Sequence, residues 1–504
     1  VENMRKSVVI YRSGNAIVVD PTTKAIHSLL DPVLTYQSKK YKPGLRGISK
    51  GSWDVNDIEL YETDHRGRIA TTLGMLEIIG NVLTDNGYSV RVKDLSKLRQ
   101  KRRDRLETRW ENLLDVAELR YRQDEFLLKM LSHDNGRFDC PPGFGKSKSV
   151  AFLSLLLPRA KILVTTKTVV VAKNTLYPEL VSVVPDVGLV CAGHRHNSSH
   201  RVIVCTLDSL HHISPEWPDI VIHDENHQAG ADKTAAKLAR FHNSFMYGLS
   251  GTQNKRTDGG DALTQALYGP IRFHMPFDEA LAHGLVGDVE VFFRDVIMDM
   301  NPCSGVRDVD RKKMGLWRNE YRNRLIVEDA YRYRKEQVLI TCQTLEHVIR
   351  LHHICDEIIM LYHPKRMEET KNWYYNRGLL GRNVRLLNLV SKEKLIRRME
   401  RGEPGIYAST PILNVGFSPK KLVGLVRADA GASGIADTQI PGRLTRTNEF
   451  KSGGRLHDYL DQFDMGFRRM AKTRIMHYEE NCWKIRLPKK ASRFAQHFGF
   501  DAEE

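Results

Sequence analysis

Cys140-Pro141-Pro142-Gly143-Phe144-Gly145-Lys146-Ser147 is the stretch on which the fold turns. Ahead of it Arg137–Cys140 reads as a short strand, and behind it Ser149–Leu157 reads as a helix. A Gly-x-Gly-Lys-Ser turn between strand and helix presents backbone N–H groups at a helix N-terminus, where phosphate oxygens are held. In such a turn Gly143 and Gly145 let the backbone approach the phosphates, Lys146 reaches the outer ones, and the Ser147 hydroxyl ligates Mg²⁺. Cys140 stands where the strict pattern begins with glycine.

Working outward, the texture around this loop is strands alternating with helices, the signature of a parallel α/β sheet. Lys161–Thr165, Arg201–Thr206 and Ile220–His223 are Val/Ile-rich and read as buried strands. The last of them runs into His223-Asp224-Glu225-Asn226-His227, at the strand end where open α/β sheets bind ligands. There Asp224 suits a Mg²⁺-binding carboxylate and Glu225 a base that orients an attacking water. A second alternating unit begins near Val289, with strands expected at Gln337–Thr341, Gly405–Ala408 and Leu422–Arg427. It ends in Gln439-Ile440-Pro441-Gly442-Arg443-Leu444-Thr445-Arg446, where a helix would put positions 439, 443 and 446 on one face. The first ninety-odd residues mix strand and helix signals and read as a small α+β module. Between the module and the glycine loop, the basic run Lys97–Arg105 is either a solvated linker helix or a contact to a phosphate backbone.

Composition narrows the class. A chain of 504 residues exceeds what one core usually supports. Its 77 Lys+Arg against 61 Asp+Glu give a net charge of +16, which favours a polyanionic partner through counterion release. No basic amphipathic helix points to a membrane surface, and no apolar run has the length of a membrane span. The seven cysteines are scattered without a C-x-x-C pair, which argues against zinc or disulfides and for a reducing cytoplasm. His194, His196 and His200 lack acidic or cysteine company and read as a solvated loop rather than a metal site.

Taken together, these strings resemble the superfamily-two helicases from about Leu119 to Tyr478. Leu119-Arg120-Tyr121-Arg122-Gln123 is similar to the family's adenine-reading motif, with Gln123 as its reader. Thr165-Thr166-Lys167 and Val204-Cys205-Thr206 resemble its strand-contacting loops, though the proline usual in the first is missing. Gly248-Leu249-Ser250-Gly251-Thr252 stands where the family has its coupling motif, and Arg256-Thr257-Asp258-Gly259 matches the branch of UvsW-like, RecG-like and XPB-like motors. Ser409-Thr410 and Gly416-Phe417-Ser418 resemble the fifth motif, with Val415 and Ser418 where the family has acidic residues. Gln439, Gly442, Arg443 and Arg446 keep the spacing of the sixth. Gly51-Ser52-Trp53-Asp54 and Gly87-Tyr88-Ser89-Val90 are similar to the domain ahead of the motor in UvsW-like phage helicases, although Trp53 reads better as core than as a base-stacking wedge.

The resemblance implies two tandem RecA-like parallel-sheet domains, a small N-terminal α+β domain and a helical C-terminal tail. The expected limits are 1–95 for the DNA-recognition domain, 96–118 for a basic linker helix, 119–287 and 288–470 for the RecA-like domains, and 471–504 for a basic tail. It implies ATP and Mg²⁺ as cofactors, with Lys146, Asp224, Glu225, Arg443 and Arg446 in catalysis. Gln123, Arg120, Gly143, Gly145, Lys146, Ser147, Gly416 and Gln439 would bind nucleotide, and Ser147 and Asp224 would hold the metal. Thr166, Thr206, Ser250, Thr252 and Thr410 would touch nucleic acid or couple to it. The expected partner is DNA, branched or forked, engaged by a monomer in a phage-infected cell alongside recombination or single-strand-binding proteins. An RNA helicase, a duplex translocase that does not unwind, and a non-catalytic DNA-binding scaffold remain the alternatives.

Overall fold

The computed structural model describes residues 7–42, 52–96, 101–114, 118–195, 200–253, 256, 258–362, 372, 375–376, 389–410, 419, 421–445 and 453–488. By its contacts the chain divides into two compact units: residues 1–140 with 145–275, and residues 276–504 with 141–144.

The first unit opens with a five-stranded sheet. Its strands are β1 (Ser7–Ser13), β2 (Ala16–Asp20), β5 (Tyr61–Thr63), β6 (Ile69–Thr72) and β7 (Ser89–Asp94), in the order β5-β6-β2-β1-β7. Between β2 and β5 lies a separate hairpin, β3 (Thr35–Lys42) and β4 (Ser52–Glu59), paired antiparallel. Gly14, at φ +62°, turns β1 back into β2. Alternation along both strands sends Val8, Ile10, Ile17 and Val19 inward, onto helices Lys24–Leu34 and Leu76–Asp85.

The module is built into the larger body rather than hung beside it. Ala266, from helix Asp261–Tyr268, completes the module's own core. The Thr72 hydroxyl donates to the Ala266 carbonyl, and Asn15 Nδ2 donates to Ser244 O at 3.0 Å. A Cβ on Gly74 would lie 2.2 Å from Gln265 O, so only glycine allows that approach. Of the basic run, Arg102 is turned into the protein, while Arg103 and Arg105 stay partly exposed and pair with carboxylates. Arg102 is 1% exposed and donates to Ser244 Oγ and Glu216 O. Arg105 Nε donates to Asp219 at 3.0 Å, and Arg103 pairs with Asp134 at 2.6 Å. Across this stretch the described chain makes a 3₁₀ turn at Asp104–Leu106 and a short α-helix at Glu111–Leu114.

The rest of the first unit is an eight-stranded sheet. In chain order it comprises β8 (Asn135–Asp139), β9 (Ile162–Thr166), β10 (Val187–Cys191), β11 (His194–Arg195), β12 (Val202–Thr206), β13 (Ile220–Asp224), β14 (Phe245–Ser250) and β15 (Ile271–His274). They lie in the order β11-β10-β12-β9-β13-β14-β8-β15, parallel throughout except for the short β10/β11 pair. Helices cover both faces, so β9, β10, β12 and β14 are buried along their whole length and read as unbroken apolar runs.

The second unit repeats the plan. Its strands are β16 (Asp288–Val296), β17 (Gln337–Thr341), β18 (Ile359–Tyr362), β19 (Leu389–Ser391), β20 (Gly405–Ser409), β21 (Leu422–Arg427), β22 (Gly453–Asp461) and β23 (Lys484–Arg486). The order is β19-β18-β20-β17-β21-β22-β16-β23, all parallel. Helix Met465–Glu480 straddles the limit expected at 470/471, and beyond it the chain returns to the sheet as β23 instead of continuing as a helical tail. The sixth-motif string departs from the single helix its spacing suggests. Helix Gly434–Gln439 stops ahead of Pro441, and Pro441–Arg443 forms a separate 3₁₀ turn. Proline has no N–H to continue the ladder, so it starts a new turn instead.

That helix is held by buried charge. Asp437 is fully enclosed and meets Arg427 Nη1 and His477 Nδ1, each at 2.6 Å. Arg427 also binds Asp429, the Tyr478 hydroxyl and Gly431 O, while Arg474 binds Asp458 and Ala430 O. Breaking a buried pair from one side costs more than making it gains, because a charge is left unmatched. Asp437→Ala should therefore lower the stability of the second unit by about 3 kcal/mol, the low end because Asp429 remains on Arg427. A urea titration followed by tryptophan fluorescence reads the shift.

Candidate functional site

Sheet order alone assembles the site in the first unit. β13, β14 and β8 are neighbours, and their registers pair Asp224 with Leu249 and Ser250 with Asp139. The acidic string, the Ser250–Thr252 string and the entry to the glycine loop thus leave the same sheet edge side by side. Cys140 N donates to Ser250 O at 3.0 Å, tying that entry to β14. Gly143 and Gly145 have φ of +104° and +98°, which glycine alone adopts without strain. Gly145 caps helix Lys146–Leu156 without a side-chain partner, leaving the first N–H groups directed at the loop. Lys146 Nζ donates to Cys140 O at 2.8 Å.

Glu225 is held at φ +60°, a left-handed conformation that a residue with a Cβ keeps only when its surroundings fix it. The fixing groups are close. His227 Nδ1 lies 3.3 Å from Glu225 Oε2, 3.1 Å from Ser250 Oγ and 3.2 Å from Thr252 Oγ1. Ser250 Oγ also donates to Glu225 Oε2 at 3.4 Å. Burial pushes the Glu225 carboxyl up, but the His227 hydrogen bond and charge, with Lys146 and Ser250, outweigh it and leave it below the ordinary range. Asp224 goes the other way. Burial, then the neighbouring Glu225 charge, push it up to about 7, against the pull of Lys146. One carboxylate is kept ionised and the other is poised for a compensating cation, a division suited to a base beside a metal ligand.

Gln123 begins helix Gln123–Ser132, is 1% exposed, and accepts from Arg120 N at 2.9 Å. Its amide touches the glycine loop, since a Cβ on Gly145 would sit 2.7 Å from Gln123 Nε2. Thr166 and Thr206 pair across β9 and β12 at the same sheet edge, but their side chains are 1% and 2% exposed. In the second unit Thr410 directly follows β20, Gln439 ends its helix, and Arg443 sits on the 3₁₀ turn at 4% exposure. Arg446, Gly416, Val415, Ser418 and the Trp53 side chain lie outside the described residues.

No protein-family model matches this chain, and no curated protein matches it. Solved structures do. Saccharomyces cerevisiae Dbp5 bound to RNA and ADP BeF3 aligns with a TM-score of 0.51 at 12% identity, over 79% of this chain and 98% of that one. The fragment of a putative HsdR subunit of a type I restriction enzyme from Vibrio vulnificus YJ016 aligns with a TM-score of 0.50 at 15% identity, over 86% and 88%. The likeness to both is one of fold: two RecA-like parallel sheets with flanking helices, one after the other along the chain. The structure of UvsW from phage T4 is matched over 95% of this chain and 99% of that one, at 16% identity and a TM-score of 0.42.

Within this fold, two features escape a reading of the sequence. His227 is visible in its string without an evident role, and only the fold shows it bridging Glu225 to Ser250 and Thr252. Arg256 marks a branch of the family by spacing alone, whereas its Nη1 donates to His227 O at 2.9 Å.

The raised Asp224 has a consequence for metal binding. If Asp224 ligates a divalent cation, the cation competes with the proton for this carboxylate, and affinity falls as pH drops below about 7. At pH 6 Mg²⁺ should bind about tenfold more weakly than at pH 8 in the presence of nucleotide, by titration of Mg²⁺-dependent nucleotide fluorescence. The stability sign is the opposite of a salt-bridged aspartate. With its folded value above its unfolded one, Asp224 makes the metal-free fold less stable as pH rises from about 4 to about 7.

Proposed function

We propose that this protein is an ATP-dependent motor that remodels branched DNA such as forks, displacement loops and four-way junctions. The observation that carries the reading is the shared sheet edge of β8, β14 and β13, where the Lys146 charge reaches both Asp224 and Glu225. The N–H groups of the glycine loop and Lys146 bind the phosphates, Ser147 and Asp224 hold Mg²⁺, and Gln123 with Arg120 reads the adenine. Glu225 accepts a proton from water as its oxygen attacks the terminal phosphorus, and the bond to the bridging oxygen breaks to release ADP and phosphate. Arg443 and Arg446, with Gln439, neutralise the transferring phosphoryl when the protein closes on ATP. Ser250 and Thr252 pass the change to the strand-contacting loops. A net charge of +16 supports a polyanionic track.

The test is ATP hydrolysis by the full chain beside Glu225→Gln, with no nucleic acid, single-stranded DNA, duplex, a fork, a four-way junction and structured RNA. Stimulation by fork or junction, lost in the variant, is the expected result. Stimulation by RNA alone would move the substrate to RNA, and no turnover with any of them would reject the motor.

A further inference from the structure

Three groups stand between the hydrolytic glutamate and the N-terminal module, and each contact is short. Arg256 Nη1 donates to His227 O at 2.9 Å, while its Nε donates to Asp258 Oδ1 at 2.9 Å. Arg256 N donates to Asp261 Oδ2 at 2.9 Å, and Gly260 N donates to Asp258 Oδ1 at 3.1 Å, so the turn is closed on itself. One side of it packs on the 3₁₀ turn that follows Glu225, where a Cβ on Gly230 would meet Arg256 Nε at 2.6 Å. Its other side meets the hairpin. Gly259, at φ +82°, lies so close to β3 that a Cβ there would be 2.3 Å from Gln37 O and 3.0 Å from the Tyr36 ring.

The join to the hairpin is a main-chain bond. Lys39 N donates to Asp258 O at 3.2 Å. Lys39 stands opposite Val55 in the ladder, yet its N–H points away from β4 to the turn. The outer edge of β3 is thus used by the loop that carries Arg256.

We propose that the β3–β4 hairpin braces Glu225, with Arg256 as the positioning residue between them. The inference rests on the reading that Glu225 orients the attacking water. Glu225 sits in a left-handed conformation that its own backbone does not favour, and His227 and Ser250 both bond its carboxylate. Arg256 fixes the carbonyl of His227, and the hairpin fixes the turn that aims Arg256. A supporting shell of this kind sets how accurately a catalytic group is held, so its loss is felt in the chemical step before it is felt in binding. The appended module therefore has a role in ATP turnover that does not depend on its touching nucleotide.

Two substitutions separate the backbone brace from the lysine charge. Lys39→Pro removes the donor to Asp258 O while sparing the ladder, because proline is tolerated where the N–H faces outward. Lys39→Ala keeps the N–H and removes only an exposed side chain. Steady-state ATP hydrolysis by the full chain, with its stimulating nucleic acid, should show kcat lowered about five- to tenfold in Lys39→Pro with KM for ATP little changed, and wild-type values in Lys39→Ala. Gly259→Ala, which drives a Cβ into Gln37 O, should reproduce the kcat loss from the other side of the same contact. Wild-type kcat in both Lys39→Pro and Gly259→Ala overturns the brace, as does an equal loss in Lys39→Ala. Glu225→Gln, run in parallel, tests the premise: turnover retained there rejects the role of Glu225 itself, whatever the hairpin variants do.

Discussion

Glu225→Gln is expected to lower ATP turnover by about 10²–10⁴-fold while leaving nucleotide affinity close to wild type. The substitution keeps the size and planarity of the side chain and removes its capacity to take a proton. Its neighbours tolerate the change, since Ser250 Oγ can still donate to the remaining amide oxygen. The phosphate loop, Lys146 and Asp224 are untouched, so binding should persist and chemistry should stop. Asp224 gains from the loss of the adjacent negative charge, because Glu225 is one of the two causes that raise it. Mg²⁺ affinity at pH 6 should therefore hold or improve in the variant. Phosphate-release kinetics and a fluorescent-nucleotide titration read the two arms. A fall in affinity matching the fall in turnover would assign Glu225 to binding instead.

Arg443→Ala should cost about 10³-fold or more in kcat if this arginine neutralises the transferring phosphoryl. Its placement suits a side chain held for one task. It follows a helix whose Asp437 is locked between Arg427 and His477, and it is 4% exposed on a turn started by Pro441. A lysine should not rescue it, because a point charge does not reproduce the planar fork of a guanidinium. The measurement is single-turnover hydrolysis with saturating stimulating nucleic acid, next to a melting curve. Turnover near wild type in Arg443→Ala would remove it from the chemistry.

The strings of the candidate site stand out in the sequence more plainly than several elements of the frame around it. The glycine loop, Asp224 and Glu225 are legible as candidates because nucleotide chemistry would demand such residue types at strand ends; β9, β12 and β13 are legible because they are Val/Ile-rich and buried, and β8 only because a strand is expected ahead of the loop. Helix Lys24–Leu34 is hidden by Pro32, which argues against a helix although Ile26, Leu30 and Leu34 keep its period. Strand β14 is as apolar as its neighbours, yet the sequence marks only its end, within the Ser250–Thr252 string. The one-helix reading of Gln439–Arg446 follows spacing and overlooks the stop at Pro441. Arg256 cannot be given its contact to His227 from any local pattern, since a carbonyl acceptor leaves no mark in side-chain identity.

The arginines between the module and the larger sheet alter what can be cut from this protein. Asp219 is wholly buried at the start of β13, and three of its neighbours come from two directions. Lys161 N donates to it from β9's entry, while Arg102 and Arg105 approach from the segment ahead of the eight-stranded sheet. A fragment begun at residue 118 would keep the carboxylate and lose both guanidinium groups, leaving an enclosed negative charge beside one amide. The stretch that looks most like a natural seam thus neutralises the interior of the very domain such a cut would isolate.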